Sequence, residues 1–242
     1  MVSTGWSRTQ PGPAHGHYWI LPALATIVWT ATLLGLLLWW AVDDNAEQYK
    51  IDETTVVFIS DAGAAHKPLF IAGTALTWLF YSLSLISERF LRHTRRIPGS
   101  LKRRETAYDI VAVVFGVIGG GALMFLSIFD AFTHPTPHWI LTAVFVVCVA
   151  ISAAFQTAEV MMLERDHLER KHLRRNAIIK LVIVSLAIAG AVCFGGTYGA
   201  TSSKYCPSGV APTTHCNVIG SVASVFEWLV NSFAPSLTRS QR

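Results

Sequence analysis

Six apolar runs, five of them close to twenty residues or longer, divide this chain. They cover residues 18–42, 69–86, 107–128, 139–162, 177–196 and 218–233. A helix of about 20 apolar residues crosses the hydrocarbon core of a bilayer. Only helices and closed barrels satisfy every peptide group there. Apolar residues make up 52% of the chain and charged residues 14%, well below the roughly one quarter charged residues of soluble domains. The reading is an all-α polytopic membrane bundle of six transmembrane helices. Residues 1–17 form a polar cytosolic N-terminus, 18–236 the membrane domain and 237–242 a short cytosolic tail. The sixth run is the weakest. It contains Glu227 and Asn231 and stops before Pro235; at ~1.5 Å per residue it falls short of a ~30 Å core.

The basic residues set the orientation. Arg89, Arg92, Arg95, Arg96, Lys102, Arg103 and Arg104 lie between the second and third runs. Arg165, Arg170, Lys171, Arg174 and Arg175 lie between the fourth and fifth. The other loops carry only Lys50, Lys67 and Lys204. The positive-inside rule places the two basic loops, and with six spans both termini, in the cytosol. The net charge of +4 is thus a topology signal with anionic headgroups as its partner; nucleic acid is not implied. Residues 1–17 lack the pattern of a secretory signal peptide. Cys206 and Cys216 fall ten positions apart in an exterior loop. An oxidising compartment allows a bridge there, and spacing alone leaves bridged and free thiols both open.

Small residues recur at four-residue spacing in Ala112, Gly116 and Gly120, in Ala150, Ala154 and Ala158, and in Ala187, Ala191 and Gly195. Such ridges let membrane helices approach closely, within one bundle or between two copies.

Ionisable groups at membrane depth are costly and face protein or water-filled interiors. Glu227 sits midway along the sixth run. Asp109, Glu159 and Lys180 share the cytosolic end of the third, fourth and fifth, where they can pair as a register-fixing cluster or serve a headgroup or catalytic role. On the exterior side, Asp130 is followed by His134 and His138. Three readings are open there: a metal site, an acid–base pair, or a capped loop. Pro135 and Pro137 are expected to break any helix that would align the two histidines. The stretch with Asp43, Asp44, Glu47, Asp52 and Glu53 reads as solvated. In the segment that follows, Ser60 and Asp61 are expected to cap or bond local backbone, Gly63 to permit a turn and Pro68 to start the second span. The nucleotide-binding glycine loop and the HExxH and GxSxG motifs do not occur, and no cofactor or metal is implied.

ISDAGA at residues 59–64, SIFDAFTHPTPH at 127–138, ISAAFQTAEVMML at 151–163, the stretch 176–180 and FEWLV at 226–230, in this order on six runs, resemble the DRAM/Frag/Sfk family of eukaryotic membrane proteins, in particular its fungal suppressor-of-four-kinase branch. The resemblance implies recurrent polar positions at Asp61, Asp130, His138, Glu159, Lys180, Glu227 and Trp228. It also implies a function among three. The first is a non-enzymatic organiser of membrane lipids or phosphoinositide signalling at the plasma membrane, with Arg95, Arg96, Lys102, Arg103, Arg174 and Arg175 contacting anionic lipid or a lipid-kinase complex. The second is an enzyme or component of GPI-anchor lipid remodelling in the endoplasmic reticulum or Golgi. The third is an autophagy modulator at the lysosome or vacuole. Family members extend the last span beyond the Glu-Trp pair, whereas Asn231, Ser232 and Pro235 interrupt it here.

Overall fold

The computed structural model describes residues 19–93, 103–166, 171–200, 206 and 209–233. All regular structure among them is helical. The helices are α1 (Ile20–Leu38), continued by a π-helical turn (Trp39–Asp43), the short α2 (Ile59–Ala65), α3 (Lys67–His93), α4 (Arg103–Ile128), α5 (Pro135–Asp166), α6 (Lys171–Ala200) and α7 (Thr214–Phe233). Among the described residues, four segments are long and apolar enough to cross a membrane: Ile20–Asp43, Lys67–Leu91, Thr106–Ile128 and Pro135–Glu159. A shorter apolar segment, Val184–Gly199, lies in α6. The chain is a multi-pass helical membrane protein.

The long helices neighbour one another in the order α1, α3, α4, α5, α6, α7. The Trp29 indole closes the ring by donating from α1 to the Asn231 carbonyl of α7, at 2.9 Å. Lipid-facing apolar side chains, such as Ile27, Val147 and Val192, are exposed, as a bilayer-solvated surface requires.

The α3–α4 pair is joined by polar contacts along its whole length. Arg89 meets Asp109 at 2.9 Å near the basic end. The Trp78 indole donates to the Val117 carbonyl at 3.1 Å. Thr74 and Ser127 share a hydrogen bond of 2.9 Å between buried hydroxyls. Lys67 meets Asp130 at 2.6 Å at the opposite end. Steric fit adds to these bonds. A Cβ on Gly120 would lie 2.7 Å from Trp78 Cδ1, a ring already held by its bond to Val117. Farther along the same ridge of α4, Ser152 of α5 donates to the Ala112 carbonyl at 2.7 Å. The Ala112–Gly116–Gly120 ridge is therefore an intramolecular packing surface. The ridges of α5 and α6 differ: Ala150 and Ala191 line a cavity, and a Cβ on Gly195 would meet nothing within 4 Å.

Several local expectations are corrected. Gly63 forms no turn; it lies inside α2, where a Cβ would come 2.5 Å from the Phe70 ring. Neither Ser60 nor Asp61 caps that helix: its first residue is preceded by Phe58, without a side-chain cap. Pro135 and Pro137 do not break a helix either. They occupy the first turn of α5, where a missing N–H costs nothing, and the His138 N–H reaches the His134 carbonyl at 3.1 Å.

Candidate functional site

The chain between α1 and α3 is a folded cap on the non-basic end of the bundle. The π-helical turn tightens into Asn45 and Ala46, both with positive φ (52° and 55°), and the Ala46 N–H returns to the Trp40 carbonyl at 2.8 Å. This reversal brings Asp44 to His66, with Oδ2 and Nε2 2.8 Å apart. The Tyr49 hydroxyl donates to the same carboxylate oxygen at 2.6 Å, and Trp39 stacks on the His66 ring with centroids 4.3 Å apart. The acidic stretch is thus not uniformly solvated. Glu53 is buried and accepts the Tyr49 N–H at 2.6 Å. Lys50 lies over the Phe132 ring at 3.8 Å, joining the cap to the α4–α5 connection.

The cap is fastened to α7 by side-chain-to-backbone bonds. Glu227 Oε2 accepts the Ile59 N–H at 2.8 Å, supplying from another helix the N-terminal acceptor that α2 lacks. The Trp228 indole donates to the Val57 carbonyl at 3.0 Å. Asn217 accepts the Thr55 N–H at 2.7 Å. The Cys206–Cys216 disulfide, with Cα atoms 5.8 Å apart, ties the start of α7 to the segment before it. The Gly209 N–H donates to Asp52 at 3.0 Å.

Asp130 is the second fastening. Its Oδ1 accepts the Phe132 and Thr133 N–H groups at 3.0 and 2.7 Å, and Oδ2 pairs with Lys67. Burial favours the neutral acid, but the Lys67 ammonium and the Thr133 donors outweigh it and hold the carboxyl well below the ordinary range. Asp44 is held low by the Tyr49 hydroxyl and by His66. Asp61 moves the other way: burial, with the Glu53 charge adding to it, pushes it up to about 7. Glu53 is also raised by burial. His138 is buried, and its Nδ1 lies 2.9 Å from the Phe129 carbonyl and 3.2 Å from that of Leu126. Both partners only accept, so Nδ1 carries a proton and donates to them. His134 instead meets Thr133 at 2.7 Å. Among the described residues no three His, Cys, Asp or Glu side chains converge as metal ligands.

Asp61, Asp130, His138, Glu227 and Trp228 thus gather on the capped half of the molecule. Glu159 is buried near the basic end of α5, away from them. Asp109 pairs with Arg89, one residue of the basic set that belongs to α3 itself. The Lys180, Arg103, Arg174 and Arg175 side chains, and Arg95, Arg96 and Lys102 altogether, lie outside the described residues. Sequence reasoning passed over Trp39, Tyr49, His66 and Asn217. The available signal was an aromatic and a histidine flanking a dense acidic stretch, a pattern that folds when carboxylates find local donors.

Beneath the cap lies a cavity of about 170 Å³ between α1, α4, α5, α6 and α7. Ser60, His138, Thr142 and Glu227 stand on its wall among aliphatic and aromatic side chains. A second cavity of about 120 Å³ continues toward the basic end and shares Trp29, Leu123, Phe145, Val149 and Asn231 with the first.

The family model described as Frag1/DRAM/Sfk1/Cwh43P N-terminal domain matches residues 17–234. The chain belongs to this family. Protein sfk1 of Schizosaccharomyces pombe is 34% identical over 140 residues, which cover 57% of this chain and 42% of that protein. Protein SFK1 of Saccharomyces cerevisiae is 28% identical over 178 residues, 61% of this chain and 50% of that protein. These similarities place the chain in the fungal Sfk branch, and the matches span half or less of those relatives' lengths. No solved structure matches the chain significantly.

Proposed function

We propose that this Sfk-branch protein is a non-enzymatic organiser of membrane lipids at the plasma membrane, acting on phosphoinositide signalling through its basic loops. One observation carries the reading: the polar family positions that geometry describes best are occupied as fastenings. Asp130 holds Lys67 and the 132–133 backbone, His138 holds the end of α4, and Glu227 and Trp228 hold the cap. A hydrolase or transferase needs a nucleophile and base within reach of each other and of the substrate; these groups are engaged instead with backbone and, for Asp130, with Lys67 and Thr133. The positive-inside rule supports a cytosolic face for Arg95, Arg96, Lys102, Arg103, Arg174 and Arg175, each worth ~1 kcal/mol against an anionic surface. They hold phosphoinositide or a lipid-kinase complex there.

The test is charge reversal at Arg95, Arg96, Lys102 and Arg103. Phosphoinositide binding by the purified protein in vesicles, and recovery of its partner from cells, are expected to fall while the cap and bundle keep their unfolding temperature. Unchanged lipid binding and partner recovery would sink this reading.

A further inference from the structure

We infer that the cavity beneath the cap takes one acyl chain of a phospholipid from the cap-side leaflet, admitted sideways between α5 and α6. The inference goes beyond the basic-loop reading and uses neither those loops nor a headgroup contact. A side opening carries it. Val146 of α5 and Ile188 of α6 line the cavity and are 42% and 49% exposed, so the cavity is open at the seam between these helices. Ala150 and Ala191, a turn away on the same wall, keep the facing side chains short there. The neighbouring seams are shut. A Cβ on Gly119 of α4 would lie 3.0 Å from Val149 of α5, and one on Gly190 of α6 would strike Val230 of α7. The cap folds over the outer end, with Ile59 and Ser60 in the cavity wall, so entry is lateral.

Depth names the occupant. Trp139 packs on Tyr198, with ring centroids 4.6 Å apart, near the cap-side ends of α5 and α6, the level at which interfacial aromatics meet headgroups. At ~1.5 Å per residue, Val146 and Ile188 lie roughly 10–15 Å farther in, within the cap-side half of a ~30 Å hydrocarbon core. A lipid chain is what reaches an opening at that depth. Polar side chains on the wall are already engaged with the protein. His138 holds the Phe129 carbonyl, Thr142 donates to the His138 carbonyl at 2.8 Å, and Asn231 donates to the Glu227 carbonyl at 2.9 Å. Methylene groups ask for no donor, and filling the space returns the dispersion contacts that a void forfeits.

The full-length protein in nanodiscs would be photolabelled with a phosphatidylcholine carrying a diazirine midway along one chain, and the labelled residues mapped by mass spectrometry. The expected result is label on the cavity-wall residues Phe145 and Val149 as well as on the lipid-facing Val147 and Val192. Ala150→Phe and Ala191→Phe each put a ring into the space the chain needs, from two different helices. Wall labelling should then fall about tenfold, with labelling of Val147 and Val192 kept. A folding failure in one variant leaves the other informative, and the map of the parent protein stands without either. Label confined to the lipid-facing residues, or undiminished wall labelling in a folded filled variant, overturns the inference. So does wall label found only at the level of Gln156 and Thr157, which would bring the chain from the opposite leaflet. Charge reversal at Arg95, Arg96, Lys102 and Arg103 is expected to leave wall labelling intact while lowering phosphoinositide binding, so failure of the chain site and failure of the basic-loop reading are told apart.

Discussion

The two sides of the helical ring are held by different means. On the α3–α4–α5 side, backbones approach closely: Trp78 lies against Gly120, and Ser152 reaches the Ala112 carbonyl directly. On the α7 side, a cavity lies between α7 and the helices α4 and α5, although α6 and α7 themselves pack closely, Gly190 lying against Val230, and α7 is joined to α1 and to the cap through Trp29, Asn217, Glu227 and Trp228. Lipid gives no hydrophobic reward for bringing helices together. Both sides therefore use polar bonds, but the α3–α4–α5 side adds close fit along its whole length, while the bonds that hold α7 to α1 and the cap leave room for a cavity beside it.

The largest expected effect comes from overfilling the fitted side. Gly120→Val should cost ~1–3 kcal/mol, as overpacking does, and lower the unfolding temperature in detergent. Gly195→Val on α6, where an added Cβ meets nothing within 4 Å, should stay within ~0.5 kcal/mol of the parent. Equal losses in the two variants would break the comparison. Next comes the fastening by Asp130. Lys67→Met leaves that carboxylate, whose side chain is only 7% exposed, without its cation. The expected cost is ~2 kcal/mol, below the full penalty for a broken buried pair, because Lys67 itself is 37% exposed. Thermal unfolding of the variant beside Lys67→Arg reads it.

Acidity sharpens the picture of the cap. Asp130 and Asp44 have lowered folded-state values. Their stabilisation is complete above an ordinary aspartate value of ~4 and is lost as pH falls through the depressed folded values. Asp61 is raised to about 7, so between ~4 and 7 the folded state binds the extra proton and stability declines as pH rises. Asp61→Asn should flatten the unfolding-temperature profile across that window and leave the acid limb in place. A profile unchanged by the substitution would mean that Asp61 is not desolvated. A gain rather than a loss is expected at Ala46, whose φ of 55° suits glycine: Ala46→Gly should gain ~1 kcal/mol by relieving the left-handed strain, read as a raised unfolding temperature.

Much of the helical organisation was legible because twenty-residue apolar runs have few alternatives in lipid. The runs at 69–86 and 107–128 lie wholly inside α3 and α4. The structure extends the helices into the polar flanks, so that Arg89 reaches Asp109 from within α3. The cap was not legible. Its fold depends on contacts such as Glu227 with Ile59 and Asn217 with Thr55, between positions more than 160 residues apart, and periodicity carries no information about such pairs. Pro135 and Pro137 show the same limit: proline signals a boundary, and only the surrounding chain decides whether a helix ends or begins there.

The central proposal is that Asp130, His138, Glu227 and Trp228 act as fastenings of the cap and its neighbouring helices, and Asp130→Asn tests it most directly. Asparagine keeps an acceptor for the Phe132 and Thr133 N–H groups while removing the carboxylate. Expressed at parental level in cells lacking the protein, it is expected to restore lipid distribution and phosphoinositide pools and to leave GPI-anchor lipids unchanged. A variant that folds with the parental unfolding temperature yet fails to restore them, or that alters anchor lipid composition, would contradict the account and give the carboxylate a chemical role.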